Sequence, residues 1–196
     1  MSLALIALGG NLPSTSCDIL QSLEGAVARL AAFPGVTRVE RSHWYRTPAY
    51  PAGSGPDFVN GAVRVETALA PAALLEALHA IEAALGRTRP ARWAPRVCDL
   101  DLIAVDDRVL PDAATLAEWM ALDRGKAQTL VPPRLILPHP RMHERAFVLV
   151  PLADIAPGWR HPLTGLDVAA MLAALPPAER DAVVRLGPGD APGPAS

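Results

Sequence analysis

The chain reads as an α+β protein of the ferredoxin-like class with a mainly antiparallel sheet. Its elements fall in the order β-α-β-β-α-β, the split β-α-β pattern. Two observations set that order. Apolar side chains recur at helical spacing in two segments, each bounded by Gly or Pro. Between and around these helices lie runs rich in β-branched and aromatic residues, with turn residues at their ends.

Leu3 to Leu8 is a continuous apolar run ended by Gly9-Gly10-Asn11, predicting a buried strand that enters a turn. Ile19, Leu23, Val27 and Leu30, at spacings of four, four and three, predict a helix that ends near Pro34-Gly35. Val36 to Arg46 follows as one strand. Thr47 to Pro56 holds three prolines and two glycines in ten residues, which predicts a loop. Phe58 to Thr67 alternates, with Val59, Gly61, Val63 and Val65 on one face and Phe58, Asn60, Arg64 and Glu66 on the other.

Pro71 suits a helix start, Leu74, Leu78, Ile81 and Leu85 form its apolar stripe, and Gly86 is placed to end it. Gly86 to Pro95 is a polar loop, Val97 to Val105 a strand, and Asp106-Asp107 a turn. Ala113 to Leu122 predicts a short helix on an insertion at about 112–132, which also holds Trp119 and Lys126. Pro138 to Glu144 is a second loop, and Arg145 to Ile155 begins a helix or a strand followed by a helix. From Leu186 to Ser196 the Pro- and Gly-rich tail is expected to be disordered, leaving one domain over residues 1–185.

Composition excludes several function classes. At 51% hydrophobic and 19% charged, the chain of 196 residues has enough apolar surface for a core, so wholesale disorder is excluded. A net charge of −2 argues against a general binder of nucleic acid or anionic membrane. Cys17 and Cys98 fit neither a metal-ligand spacing nor a disulfide framework, so a reducing cytoplasm is the expected location. The N-terminal apolar run is too short for a membrane span and lacks a signal peptide's basic start. Lys126 is the only lysine among 18 basic residues, a bias that a GC-rich coding sequence also produces.

The chemistry concentrates in three places. Asp99 and Asp101 stand at i and i+2 of an otherwise apolar strand, so both carboxylates face one way. Such a pair repels unless water or cations neutralise it, and its hard oxygens suit Mg2+ that also binds phosphate; two ordinary acidic residues near a strand end read the same way. Just upstream, Gly86 to Arg96 carries four arginines in eleven residues: Arg87, Arg89, Arg92 and Arg96. Guanidinium forks match phosphate oxygens, although mutual neutralisation of the acidic pair would also account for them. Phe58 and Asn60 share a strand face, an aromatic plate beside a carboxamide, which serves a flat heterocycle or simply a core and a strand cap. His139 lies in the second loop and Arg145 six residues on, as phosphate contacts or as structural groups. No P-loop, dinucleotide fingerprint or nucleophile elbow is present.

Six segments in order, ALGGN, WYRTPAY, DFVNGAV, IEAALGRTR, RWAPRVCDLDLI and LPHPRMHERAFVLVPL, resemble the 6-hydroxymethyl-7,8-dihydropterin pyrophosphokinase family of the folate pathway. The likeness runs from about Leu3 to about Pro157, interrupted near Asp112 to Pro132. It implies a three-layer ferredoxin-like sandwich and transfer of the terminal pyrophosphate of ATP to the pterin's hydroxymethyl oxygen, with AMP as the second product. By this resemblance Asp99 and Asp101 hold two Mg2+ ions, and Arg87 and Arg96 stabilise the phosphates in flight. His79, Glu82, Arg89, Trp93, His139 and Arg145 line the ATP side. Phe58, Asn60 and Phe147 form the pterin pocket, with Thr47, Pro48 and Tyr50 in the loop beside it.

No strong general base is evident, so a metal-adjacent alkoxide or a water is expected to handle the proton. Three departures stand out: GGN replaces the family's usual GSN, Ala94 replaces a frequent Gly before Pro95, and Pro140 stands where some members carry an aromatic residue. The expected partners are ATP and the hydroxymethyl dihydropterin, with no nucleic acid and no membrane, acting on a monomer. The rival reading is a non-catalytic ligand-binding protein on the same scaffold.

Overall fold

The computed structural model describes residues 1–12, 18–49, 55–86, 97–123 and 130–187. Among them the strands are β1 (Ser2–Gly10), β2 (Val36–Arg41), β3 (Tyr45–Thr47), β4 (Phe58–Thr67), β5 (Asp99–Val105) and β6 (Val184–Arg185). The helices are α1 (Ile19–Ala31), α2 (Pro71–Ala84), α3 (Ala113–Met120), α4 (Ala146–Ile155), α5 (Val168–Ala174) and α6 (Pro177–Asp181). A 3-10 turn at Met142–Glu144 precedes α4. The strand order is β5-β1-β4-β3-β6, with β2 also on β4, and every pairing is antiparallel. The α+β expectation holds.

β1 lies between β4 and β5 and is covered on both faces, which is why it reads as a continuous apolar run. The strand continues through Gly9 and Gly10, where the sequence predicts a turn. On one face, Ile6, Leu8, Val63, Val65, Leu100 and Leu102 pack against Leu23 and Leu30 of α1 and Leu74, Leu78 and Ile81 of α2. On the other, Leu5, Ala7, Ala62 and Ile103 pack against Val148, Leu149 and Leu152 of α4, backed by Val168 and Met171 of α5. The result is three layers, helix on sheet on helix.

Local chemistry sets the helix ends. The Asp18 carboxylate accepts from the Gln21 N–H at 2.7 Å and caps α1. Pro71 opens α2, and Gly86 follows its last turn at φ +87°, a conformation that favours glycine. In the turn after β5, Asp106 accepts from the Leu3 N–H at 2.7 Å. The insertion is clasped at its base, where Leu110 and Leu137 exchange backbone hydrogen bonds of 2.8 and 3.0 Å. Asp112 caps α3 within it, and residues 124–129 lie outside the described residues.

The predicted strand from Val36 to Arg46 is two strands. β2 ends with Arg41 opposite Val63, whereas β3 begins with Tyr45 opposite Asn60. Four steps on one side face three on the other, so one extra residue forms a bulge. The Ser42 hydroxyl accepts from the Ala62 N–H at 2.9 Å, and the Trp44 ring fills the space that Gly61 leaves empty: a Cβ on Gly61 would come within 2.5 Å of it. Val184 and Arg185 pair with β3, and at the first residue of the expected tail the Leu186 N–H donates to the Trp44 carbonyl at 2.9 Å; residues 188–196 of that tail lie outside the described residues. No helix among the described residues is long and apolar enough to cross a membrane.

His161 closes a hairpin beside α5. Its Nδ1 accepts from the Leu163 and Thr164 N–H groups, and its buried Nε2 has no partner among the described residues. Burial, with His143 nearby, pushes the imidazole down to about 4. The unfolded chain protonates near the ordinary value of 6.5, so acidification from pH 6.5 to 4 favours unfolding. His161→Asn keeps an acceptor and removes the titration. Denaturant unfolding across that pH window should therefore show a flatter loss of stability in the variant than in the parent; equal slopes would contradict the assignment.

Candidate active site

The site forms on the sheet face that α4 covers only in part. Register aligns Tyr45 with Asn60, Asn60 with Gly9, and Gly9 with Asp99. This row crosses four strands, so Asn60 and Asp99 stand two strand spacings apart, about 10 Å. Gly9 is the floor between them. A Cβ there would lie 2.9 Å from Asn60 Oδ1, so only glycine lets the carboxamide rest against β1. The next row brings Ala62, Ala7 and Asp101 together.

At one end, Asn60 is buried and donates from Nδ2 to Thr47 Oγ1 at 2.7 Å. That bond anchors the carboxamide by its nitrogen, with Oδ1 toward Gly9 of β1. Phe58 lies opposite Thr47 in the register, on the same face and half-buried.

At the other end, Asp99 and Asp101 both face the α4 side, while Leu100 and Leu102 enter the opposite core. Arg145, the residue before α4, places a guanidinium nitrogen 4.0 Å from Asp101 Oδ2, and its Cζ sits 5.7 Å from the centre of the Phe147 ring. Burial lowers the Arg145 pKa, while Asp101 pulls in the opposite direction. His139 is docked on β5 by its N–H, which donates to the Ile103 carbonyl at 2.7 Å. Burial and the neighbouring Arg145 and Arg141 push its imidazole down to about 3, so it is neutral at pH 7. Its Nδ1 accepts from the Arg141 N–H at 3.1 Å, which leaves the proton on Nε2.

The structure thus brings together Thr47, Phe58, Asn60, Asp99, Asp101, His139, Arg145 and Phe147. His79 and Glu82 belong to α2, in the layer on the far side of the sheet. His79 is exposed; Glu82 is buried and accepts from the Leu100 N–H at 2.7 Å, where β5 is the edge strand. Pro48 is exposed. Tyr50, Arg87, Arg89, Trp93 and Arg96 lie outside the described residues; the described chain stops at Gly86 and resumes at Val97, two residues before Asp99.

The family model for 7,8-dihydro-6-hydroxymethylpterin-pyrophosphokinase matches residues 5–157. The chain belongs to this family. It is 43% identical over 157 residues to the 2-amino-4-hydroxy-6-hydroxymethyldihydropteridine pyrophosphokinase of Methylorubrum extorquens, covering 80% of this chain and 84% of that protein. The enzyme of the same name from Synechocystis is 39% identical over 169 residues, covering 86% of this chain and 74% of the relative. Among solved structures, wild-type HPPK-DHPS of Plasmodium falciparum matches at TM-score 0.60 and 14% identity, which supports the fold. The likeness covers 88% of this chain and 44% of that one, so the pyrophosphokinase fold spans less than half of the solved protein.

Three residues that shape this sheet face escape the sequence reading. Gly9 reads as a turn residue, although glycine inside a strand is itself a sign of close approach. Tyr45 and Asp154 carry no local signal, because their pairing spans 109 residues. Gly9→Ala should drive the Asn60 carboxamide from its place and destabilise the protein by about 1–3 kcal/mol. Denaturant unfolding, with the NMR signals of the Asn60 side-chain amide, checks this; an unshifted amide would contradict it.

Proposed function

We propose that this protein transfers the pyrophosphoryl group of ATP to the hydroxymethyl group of 6-hydroxymethyl-7,8-dihydropterin, giving AMP and the pterin diphosphate in folate biosynthesis. The observation that carries the proposal is the shared face: a buried carboxamide with an aromatic ring, a glycine floor, then a carboxylate pair with a guanidinium. Membership of the pyrophosphokinase family, with relatives of that name at 36–43% identity, supports the same reading.

Asp99 and Asp101 suit Mg2+ by their chemistry. Two hard carboxylates project from i and i+2 on one face, Asp101 with 43% of its side chain exposed. Among the described residues no third His, Cys, Asp or Glu completes a cluster, which suits ions that take their remaining ligands from phosphate and water. When bound, the two ions supply charge neutralisation and polarisation of the phosphate oxygens.

The protein's own part is positioning and electrostatics. Phe58 and Phe147 stack the heterocycle while Asn60, oriented by Thr47, reads its edge. Arg145 holds charge beside the phosphates, and neutral His139 offers an Nε2 proton to a phosphate oxygen. Arg87 and Arg96 bind the transferring group, with His79, Glu82, Arg89 and Trp93 on the ATP side and Pro48 and Tyr50 beside the pterin. The hydroxymethyl oxygen attacks the β-phosphorus, the bond to the bridging oxygen breaks, AMP departs and the hydroxyl proton passes to water. The same reading places this activity in one domain over about residues 1–185, acting as a monomer in the cytoplasm without nucleic acid or membrane.

Incubation with ATP, Mg2+ and the hydroxymethyl pterin should release AMP, followed by nucleotide chromatography. ADP in its place would mean a simple kinase, and pterin binding without turnover a binding protein; either would overturn the proposal. Asp99→Ala and Asp101→Ala should each abolish AMP release with the circular dichroism of the fold unchanged, and wild-type rates in either would refute the metal assignment. Arg96→Ala should lower kcat with an unchanged melting temperature; a structural arginine would do the reverse.

A further inference from the structure

α4 spans the sheet and is pinned at both ends. Arg145, just before it, meets Asp101 on β5. In its last turn, Asp154 meets the bulge and β3: its carboxylate accepts from the His43 N–H at 2.9 Å, from His43 Nδ1 at 3.0 Å and from the Tyr45 hydroxyl at 2.9 Å. The His43 N–H lies in the segment where the bulge interrupts the β2/β3–β4 ladder, so Asp154 satisfies a backbone donor there. Tyr45 is buried, and burial with the Asp154 carboxylate pushes its hydroxyl up to about 12, which keeps it a donor.

The contact lies beside the strand that orients Asn60, at the opposite end of α4 from Phe147. Phe147 and Asp154 are seven residues apart on α4, two turns, and therefore share one stripe of the helix. Tyr45 lies opposite Asn60, and Thr47, two residues on, bonds the Asn60 amide. One carboxylate thus couples the helix that carries Phe147 to the strand that orients Asn60.

We propose that Asp154 is a positioning residue for the pterin, holding β3 against α4 so that Thr47 keeps the Asn60 carboxamide in place beside Phe58. The inference rests on the pyrophosphokinase reading above. Asp154 touches no substrate and acts through Tyr45 and His43. Loss of the contact frees β3 from α4, while Arg145 still holds the end of α4 that carries Phe147, so the Asn60 side of the pocket loosens and the ATP side does not.

The test is steady-state kinetics on the full chain, with pterin binding followed by its fluorescence. Asp154→Ala should raise the pterin KM and Kd about tenfold, leaving the ATP KM within about twofold and kcat within about threefold. Asp154→Asn, which keeps one acceptor oxygen, should fall between. Leu30→Ala, a cavity in the opposite core, should lower the melting temperature without moving the pterin KM. Parallel rises in both KM values, an unmoved pterin KM, or the same rise in Leu30→Ala would overturn the proposal. If Asp154→Ala does not fold, Tyr45→Phe removes a single donor and should shift the pterin KM in the same direction; no shift refutes it. A parent protein that binds the pterin without releasing AMP refutes the reaction alone, and the Kd comparison still decides the role of Asp154. A parent that neither turns over nor binds the pterin removes both readings.

Discussion

One added residue between Arg41 and Tyr45 turns β3 over, and the pocket depends on that inversion. Side chains alternate along a strand, so without the bulge Tyr45 and Thr47 would point where Val39 and Arg41 point, away from α4. With it, Tyr45 and Thr47 join Asn60 and Phe58 on the face that α4 borders. The bulge is held from three directions: Ser42 bonds the Ala62 N–H, Trp44 lies against Gly61, and Asp154 takes the His43 N–H. β6 then pairs with the outer side of β3, so residues beyond the family match brace the strand that orients the amide.

Glycine does the complementary job on the adjacent strands β4 and β1. Gly61 admits the Trp44 ring on one face, and Gly9 admits the Asn60 carboxamide on the other. The two substitute emptiness for side chain where a neighbour must come close. Between Asn60 and Asp99 this leaves a trough of about two strand spacings with no side chain in its floor. A pyrophosphokinase needs such a separation, because the heterocycle and the phosphates have opposite demands: one wants an apolar slot with a few directed hydrogen bonds, the other a concentration of cations and hard oxygens.

Charge is distributed accordingly. Arg145 stands between Asp101 and the Phe147 ring, so the guanidinium borders both regions. Glu82, although close in sequence to the arginine loop, places one buried oxygen against β5, where it accepts from the Leu100 N–H. That bond covers an edge N–H that would otherwise be open to pairing with another strand.

Much of this was legible in the residues themselves. β1 and the first two helices were readable because burial imposes a period on local sequence: Leu23 and Leu30, or Leu74, Leu78 and Ile81, must line one stripe to be buried at all. Asp99 and Asp101 were visible as a pair because two carboxylates in an apolar strand contradict their surroundings. The split of Val36 to Arg46, the strand at Val184–Arg185 and the short helices α5 and α6 were not readable, since each is stabilised by partners far along the chain. The sequence alone therefore determined the β-α-β-β-α-β order, the apolar stripes of the first two helices and the family. Only the tertiary structure decided which face Tyr45 and Thr47 take, why residue 9 must be glycine and what Asp154 holds, because register and helix docking are set by contacts between segments and leave no period in either one.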